Sequence, residues 1–594
     1  MKCKMGCVAL ATAMVICVVT QTGFAAEYVW TDGYYKQSTV NPQIPVDLLA
    51  EDVLYIAAKS NTNNNPYDPY EGLKFVDCGP LNNRGTIVWD DNGWDLYLTS
   101  GPAYGRTVIT NQGVFEARVD RAMVYGGGWG DNTFLNDVGG TFRKSAGTGT
   151  TAFASSSSAW NEFIFINRGT LDAQVGTILY GGPISHFENG TLFTGAGTHR
   201  IAAVYNTDFT GSMTAAPETM VIFDASYYGS LYSMFVGIGA VIHGNFNLQL
   251  GTLKGTWTIA GDGLLNTMTD GGKNVTNADV INWGIFRISQ GGIGFDSSTF
   301  TNHGVIEFAD DSDFYYGGDG VPPTLTNFGT LRKKSGTGIS SLGISNWSQI
   351  NFSTAPGSVI EVQSGTAAIM SRAFTQNTGT IHVHQHTSFQ GLWNLTNVGT
   401  IRGGGTVEIT GENKRLINEG QVHPGDTTGT LAIDNAFQQN AAGHLNIEIA
   451  GAAVGQHDVL SVVGDAVLGG TVDFWRLPGY NPQAGDTFEF LTAGGSLSGT
   501  FDVVYHGFDG VTFGDIVYGD HGVSMTVTAV DHLPRLLGDL DHNDKVDLVD
   551  FALFAPHWLS FDCGSCGGAD LTGDSAVTLD DLFRFVQTWL SEND

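Results

Sequence analysis

Between residues 81 and 435, alternating apolar residues recur behind one degenerate phrase, Asn-x-Gly followed by Thr, Val or Ile. It stands at Asn83-Arg-Gly85, Asn111-Gln-Gly113, Asn167-Arg-Gly169, Asn282-Trp-Gly284, Asn302-His-Gly304, Asn327-Phe-Gly329, Asn377-Thr-Gly379 and Asn397-Val-Gly399. The spacings are 28 and 56 residues early, then 20, 25, 50 and 20. Multiples of roughly 20 to 28 residues mark one solenoid rung per phrase. Asn and Gly tolerate left-handed backbone at a corner, and a β-branched residue then opens a strand whose alternate side chains enter the core. No helical apolar period of useful length precedes residue 548. The pattern predicts a mainly β chain, a right-handed parallel β-helix; serial β-sandwich modules are the alternative.

Composition agrees. Gly supplies 81 of 594 residues, about twice ordinary usage, which suits tight corners. Gly140-Thr-Phe-Arg-Lys-Ser-Ala-Gly-Thr-Gly149 matches Gly329-Thr-Leu-Arg-Lys-Lys-Ser-Gly-Thr-Gly338 at seven of ten positions, with Trp160 and Trp347 following. A repeated element of this kind is read as architecture. The predicted order is a leader over 1–26, an N-terminal cap region over 27–80, solenoid repeats over 81–435, a C-terminal β region over 436–530, a linker over 531–537 and a small module over 538–594.

In that module one twelve-residue pattern occurs twice, 31 residues apart. The first copy offers Asp539, Asp541, Asn543, Lys545, Asp547 and Asp550 at loop positions 1, 3, 5, 7, 9 and 12; the second offers Asp570, Thr572, Asp574, Ala576, Thr578 and Asp581. Calcium takes six to eight oxygens, and an EF-hand-type loop supplies them at this spacing, with position 7 giving a backbone carbonyl. Two calcium ions are therefore expected. Val546 and Val577, at position 8, are expected to point inward and couple the loops. An apolar segment follows each loop, through Trp558-Leu559 and Trp589-Leu590.

Paired loops ending in Asp rather than Glu, at the end of an exported chain, resemble a type I dockerin module over about a tenth of the chain. The resemblance implies a cohesin-type partner and attachment to a scaffold, often in polysaccharide-degrading systems. The copy departs from that pattern at position 6, where Asp544 and Ser575 replace Gly. It departs again at positions 10 and 11, Leu548-Val549 and Leu579-Asp580, and in Cys563-Gly-Ser-Cys566 between the repeats. Residues from about 418 to 530, with a Pro424-Gly425 turn and a Gly485-Asp-Thr-Phe strand, resemble the closing rungs of autotransporter-like passenger domains. The dockerin-like module stands where a membrane barrel would follow.

Lys2 and Lys4 precede an apolar run from Val8 to Val19 and then Gly23-Phe-Ala25-Ala26. This order reads as a signal peptide, the alternative being a membrane anchor, and places the mature chain outside the cell or on its surface without a membrane span. In an oxidising compartment Cys563 and Cys566 are expected to pair locally; zinc lacks a second ligand pair nearby. The net charge of −32 leaves no basic footprint for nucleic acid.

No catalytic residue is assigned. Asp310-Asp311-Ser-Asp313 is the best acidic cluster for a polysaccharide lyase or glycoside hydrolase. His382-Val-His384-Gln-His386 would share one strand face and offers a transition-metal candidate. Trp257, Trp283, Trp347 and Trp393 are either sugar-stacking or packing residues. The functional expectation is a secreted β-solenoid displayed through a calcium-dependent module, in an adhesive or polysaccharide-related role; a β-helical polysaccharide-active enzyme with the same attachment is the alternative.

Overall fold

A computed structural model describes residues 25–591 apart from 31–32, 37–46, 58–73, 78, 91–92, 101–105, 129, 155–162, 183, 203–205, 229–233, 317–320, 344–349, 412, 531–535, 542, 544, 562 and 564–565. The predicted leader up to residue 24, Cys78, Trp160, Trp347, most of the linker and Asp544 lie outside the described residues. The chain divides into one compact unit up to Phe374 and a second from Thr375.

In the first unit, up to Ile184–Phe187, each short strand pairs in parallel with the strand three places further along the chain. Thr86–Asp90 pairs with Val114–Ala117, which pairs with Thr141–Lys144, which pairs with Thr170–Ala173. Pro80–Asn83, Val108–Asn111, Asn132–Asn136 and Phe163–Asn167 form a second such stack, and Leu96–Ser100, Ala122–Gly128, Thr150–Ala154 and Thr177–Gly181 a third. Three strands per coil, stacked in register, make a parallel β-solenoid and not antiparallel sandwich modules. Alternation fills the interior: Phe115, Phe134, Phe142, Phe153 and Phe165 are buried, with ring centroids 4.5 to 6.1 Å apart.

The second unit repeats the plan, with one inward column of Ile381, Ile401, Val422, Leu445 and Val472 and buried Phe389, Phe437, Phe474, Phe488 and Phe490 beside it. Thr380–Val383, Thr400–Gly403, Gln421–Pro424, His444–Ile449, Thr471–Arg476 and Asp502–His506 stack in parallel. The stacking ends where Gly522–Val530 turns antiparallel against Thr487–Ala493 and Val511–Phe513. After this unit's strands come two short helices, α1 (Leu548–Phe554) and α2 (Leu579–Gln587). Among the described residues no helix is long and apolar enough to cross a membrane.

The corner phrase works differently from the sequence expectation. The Asn side chains are buried and form amide ladders. Asn83 donates to Asn111, Asn111 to Asn136 and Asn136 to Asn167, at 2.6 to 2.7 Å. Asn282, Asn302 and Asn327 form a second run, and Asn377, Asn397, Asn418 and Gln439 a third. Neither these Asn residues nor the phrase glycines have a left-handed backbone. Gly is needed because the next coil lies too close: a Cβ on Gly113 would sit 2.1 Å from the Gly85 carbonyl oxygen, and one on Gly304 2.1 Å from that of Gly284.

Candidate metal centre in the C-terminal repeats

Each loop flows into its helix through a reciprocal cap. Asp547 is the N-cap of α1 and accepts from Val549 N–H at 2.7 Å, while Asp550 accepts from Asp547 N–H at 2.8 Å. Thr578 and Asp581 do the same for α2. Such a box satisfies two orphan N–H groups at the helix start.

The position-12 carboxylates also gather the loop starts. Asp550 Oδ1 accepts from Leu540 N–H at 2.6 Å and Asp541 N–H at 3.1 Å; Asp581 Oδ1 accepts from Leu571 and Thr572 N–H at 2.9 and 2.8 Å. Both side chains are fully buried. Carboxylate oxygens of Asp539, Asp541 and Asp550 thereby come within 4.8 Å of one another, as do those of Asp570, Asp574 and Asp581. Desolvation and the nearby charges of Asp550, Asp539 and Asp547 hold the Asp541 carboxyl above its usual range. Burial raises Asp581, but the N–H groups it accepts from outweigh that and leave it below its usual range.

The remaining expected ligands surround these triads without joining them. Asn543 donates to Asp541 and accepts from Lys545 N–H. Thr572 donates to Asp570. Asp547 and Thr578 are engaged as caps, and Lys545 and Ala576 stand at the position whose carbonyl a loop would lend. At position 6 Ser575 has φ +67°, the left-handed conformation that favours Gly there.

Val546 and Val577 are both fully buried, in one cluster with Phe554, Cys566, Ala569 and Phe585. Their backbones do not bond to each other. Val546 exchanges hydrogen bonds with Leu590 and Ser591 beyond α2, and Val577 with Leu559 and Ser560 beyond α1. Each loop is thus tied to the end of the other repeat. Cys563 and Cys566 are disulfide-bonded, with Cα atoms 5.2 Å apart.

The other sequence candidates are absorbed by architecture. Asp311 accepts from the Lys333 ammonium at 2.6 Å, which holds its carboxyl below the usual range, while Asp310 and Asp313 accept from Gln290 and Ser341 N–H. Lys144 repeats the arrangement with Asp120, and both lysines are buried. Arg143 and Arg332 pair with Asp172 and Glu361. The three histidines do not share a face: the strand ends at Val383, and His386 is in a turn with φ +64°. His382 Nδ1 lies 3.3 Å from the Arg402 guanidinium, which only donates, so its proton sits on Nε2, 2.5 Å from Asp426. Both ring nitrogens are thus hydrogen-bonded, while Glu361, His382 and His384 each bring one possible ligand atom within 4.8 Å of one another. Trp257 is core, Trp393 lies beneath the Lys414 ammonium, and Trp283 is 55 % exposed.

Two grooves remain. One of 490 Å³ is lined by Gln390, Glu408, Thr410, Asp434 and Asn435, and one of 360 Å³ by Thr150, Thr177, Thr198, Arg200, Asp224 and Gln249. Neither brings three carboxylates together with a cationic side chain. No family model matches the chain, and no curated protein matches it.

Proposed function

We propose that the C-terminal repeats are two EF-hand-type calcium loops of a dockerin-like module, and that the exported chain uses them to display a right-handed, non-catalytic β-solenoid. The observation that carries this reading is the duplicated carboxylate triad, each built around a buried position-12 Asp. The donor set fits the ion: hard oxygens, several of them charged, on loops of the required spacing. Asp539, Asp541, Asp550 and Asp570, Asp574, Asp581 would hold the two ions, with Asn543, Asp547, Thr572 and Thr578 completing the shells. Calcium would supply positive charge to each carboxylate triad.

The helix faces support an attachment role. Leu548, Val549, Leu579, Phe583 and Val586 are 52 to 72 % exposed on two helices of 7 and 9 residues. Exposed apolar patches of this kind mark interaction surfaces, and a cohesin-type domain is the partner proposed. Calorimetric titration of the mature chain tests the metal reading. Two calcium equivalents are expected, abolished in one loop by Asp550→Asn and in the other by Asp581→Asn. Absence of calcium heat overturns it.

A polysaccharide hydrolase is favoured by one feature only: Glu408 and Asp434 are register partners on adjacent strands, a spacing compatible with paired carboxylates. Turnover of pectin, alginate or xylan that Glu408→Gln removes would establish it.

A further inference from the structure

Three consecutive corners of the first unit carry Trp283, His303 and Phe328 between their ladder Asn and Gly. The Asn282–Asn302–Asn327 ladder holds these corners in register. Their outward side chains therefore stack. The indole and imidazole centroids are 4.0 Å apart at 8°, and the imidazole and phenyl centroids 5.0 Å apart at 15°. Trp283 is 55 % and Phe328 47 % exposed.

Corner geometry does not require aromatics. The same position holds Arg84, Gln112, Arg168, Thr378 and Glu419 at other corners. The stack also stops abruptly. Trp283 N–H donates to Ile259 O in the coil before it, and the residues following there are Ala260 and Gly261. A Cβ on Gly261 would meet nothing within 4 Å. With His303 on one indole face and Trp283 still 55 % exposed, the opposite face of the indole is open.

The adjoining sheet face is lined with hydroxyls. Lys273–Asn282, Thr299–Asn302, Thr324–Asn327 and Asn351–Thr354 stack in register. Their outward columns read Asp279, Thr299, Thr324, Asn351 and Ile281, Thr301, Thr326, Ser353. Asp279 is the only ionisable residue in those columns, and it accepts from the Thr299 hydroxyl.

We propose that this face binds a neutral polysaccharide, one sugar stacking its C–H face on the Trp283 indole. A sugar ring is apolar on its faces and hydroxylated at its rim, which an open aromatic face beside Thr301, Thr326 and Asn351 complements. The absence of cationic residues in the columns disfavours uronates and sulfated glycans. Strands repeat every ~4.8 Å, close to the length of one pyranose unit, so successive hydroxyls meet successive sugars. Three rings are far too small a patch for a second copy of the chain, which needs about 800 Å² per partner. The inference deepens the adhesive reading and rests on it for the compartment, but not on calcium.

The test is affinity electrophoresis and fluorescence titration of the mature chain with cellohexaose, xylohexaose and mannohexaose, with polygalacturonate as the charged control. One neutral hexaose is expected to bind and shift Trp emission. Trp283→Ala should weaken it about tenfold. Gly261→Phe, which fills the open face and leaves the ladder intact, should weaken it comparably, with unchanged melting temperature as the folding control. Binding to no neutral glycan, a preference for polygalacturonate, or indifference to both substitutions overturns the proposal. Repeating the titration in chelator separates it from the metal reading: sugar binding persists even where calcium binding fails.

Discussion

The coils and the C-terminal repeats both bury polar side chains on a repeating plan, and they do it with opposite chemistry. An Asn in a coil corner donates and accepts, so Asn83, Asn111, Asn136 and Asn167 complete one another and the ladder is neutral. Asp550 and Asp581 only accept. They draw in backbone N–H groups and bring further carboxylates beside them. A self-complementary ladder is stable without a ligand; a carboxylate cluster makes folding conditional on a cation. The interiors differ likewise: long Phe stacks in the first unit, and a module of about sixty residues with little core.

Chelation should break this contrast most visibly. Removing calcium is expected to abolish the helical circular dichroism of α1 and α2 and leave the β signal of the coils, because metal that binds only the folded loops stabilises them by mass action. Asp550→Asn should lower the affinity of its loop by roughly 100-fold, and loop one, with the additional carboxylate of Asp547, should bind more tightly than loop two. A chelated chain that keeps full helical signal removes the distinction.

The next largest effect belongs to the ladder. Asn302→Ala strands the donor of Asn282 and the acceptor of Asn327 in the interior. At about 1 to 3 kcal/mol for each unsatisfied group, urea denaturation should show a loss of about 4 kcal/mol in the first unit, with calcium affinity unchanged.

Acid should separate the two units by sign. Burial pushes the His199 imidazole down to about 4, against Tyr180 and the Thr194 carbonyl. Its folded value lies below its unfolded value, so the stability it permits is complete above pH ~6.5 and falls by about 3 kcal/mol as pH drops to 4. Burial pushes Asp458 up to about 8. Its effect is the reverse: stability present at low pH is lost as pH rises through 8. Hydrogen exchange should show protection around residues 191–223 falling as pH drops from about 6.5 to 4, and around 444–474 falling as pH rises from about 4 to 8.

The smallest change should be a gain. Ser575→Gly relieves a left-handed position and should raise the melting temperature of the calcium-loaded repeats by an amount equivalent to about 1 kcal/mol. A loss would mean that the Ser575 hydroxyl does more for the loop than its backbone costs.

Much of this was legible along the chain. Alternation behind Asn-x-Gly marked the coils, because period-two burial needs no knowledge of partners. The carboxylates that gather in the two triads were legible because oxygen-bearing residues recur at fixed spacing within one short segment, and Val546 and Val577 could be placed inward from loop position alone. Less legible were the features that depend on the neighbouring coil. Gly304 looked like a corner that needs unusual dihedrals; it is a contact with the Gly284 carbonyl. His386 looked like the third member of a strand face; the strand had already ended at Val383.

The amino-acid order by itself determined that the chain is mainly β, where its corners fall, and which residues of the final repeats carry oxygen at calcium-loop spacing, since all three are encoded in short-range periodicity. Only the tertiary structure decided that strands pair with the third strand onward, that Val546 bonds beyond α2 and Val577 beyond α1, and that Trp283, His303 and Phe328 form one stack with an open end. Those outcomes depend on how one coil or repeat lies against another, and sequence separations of 17 to 45 residues place them beyond any local pattern.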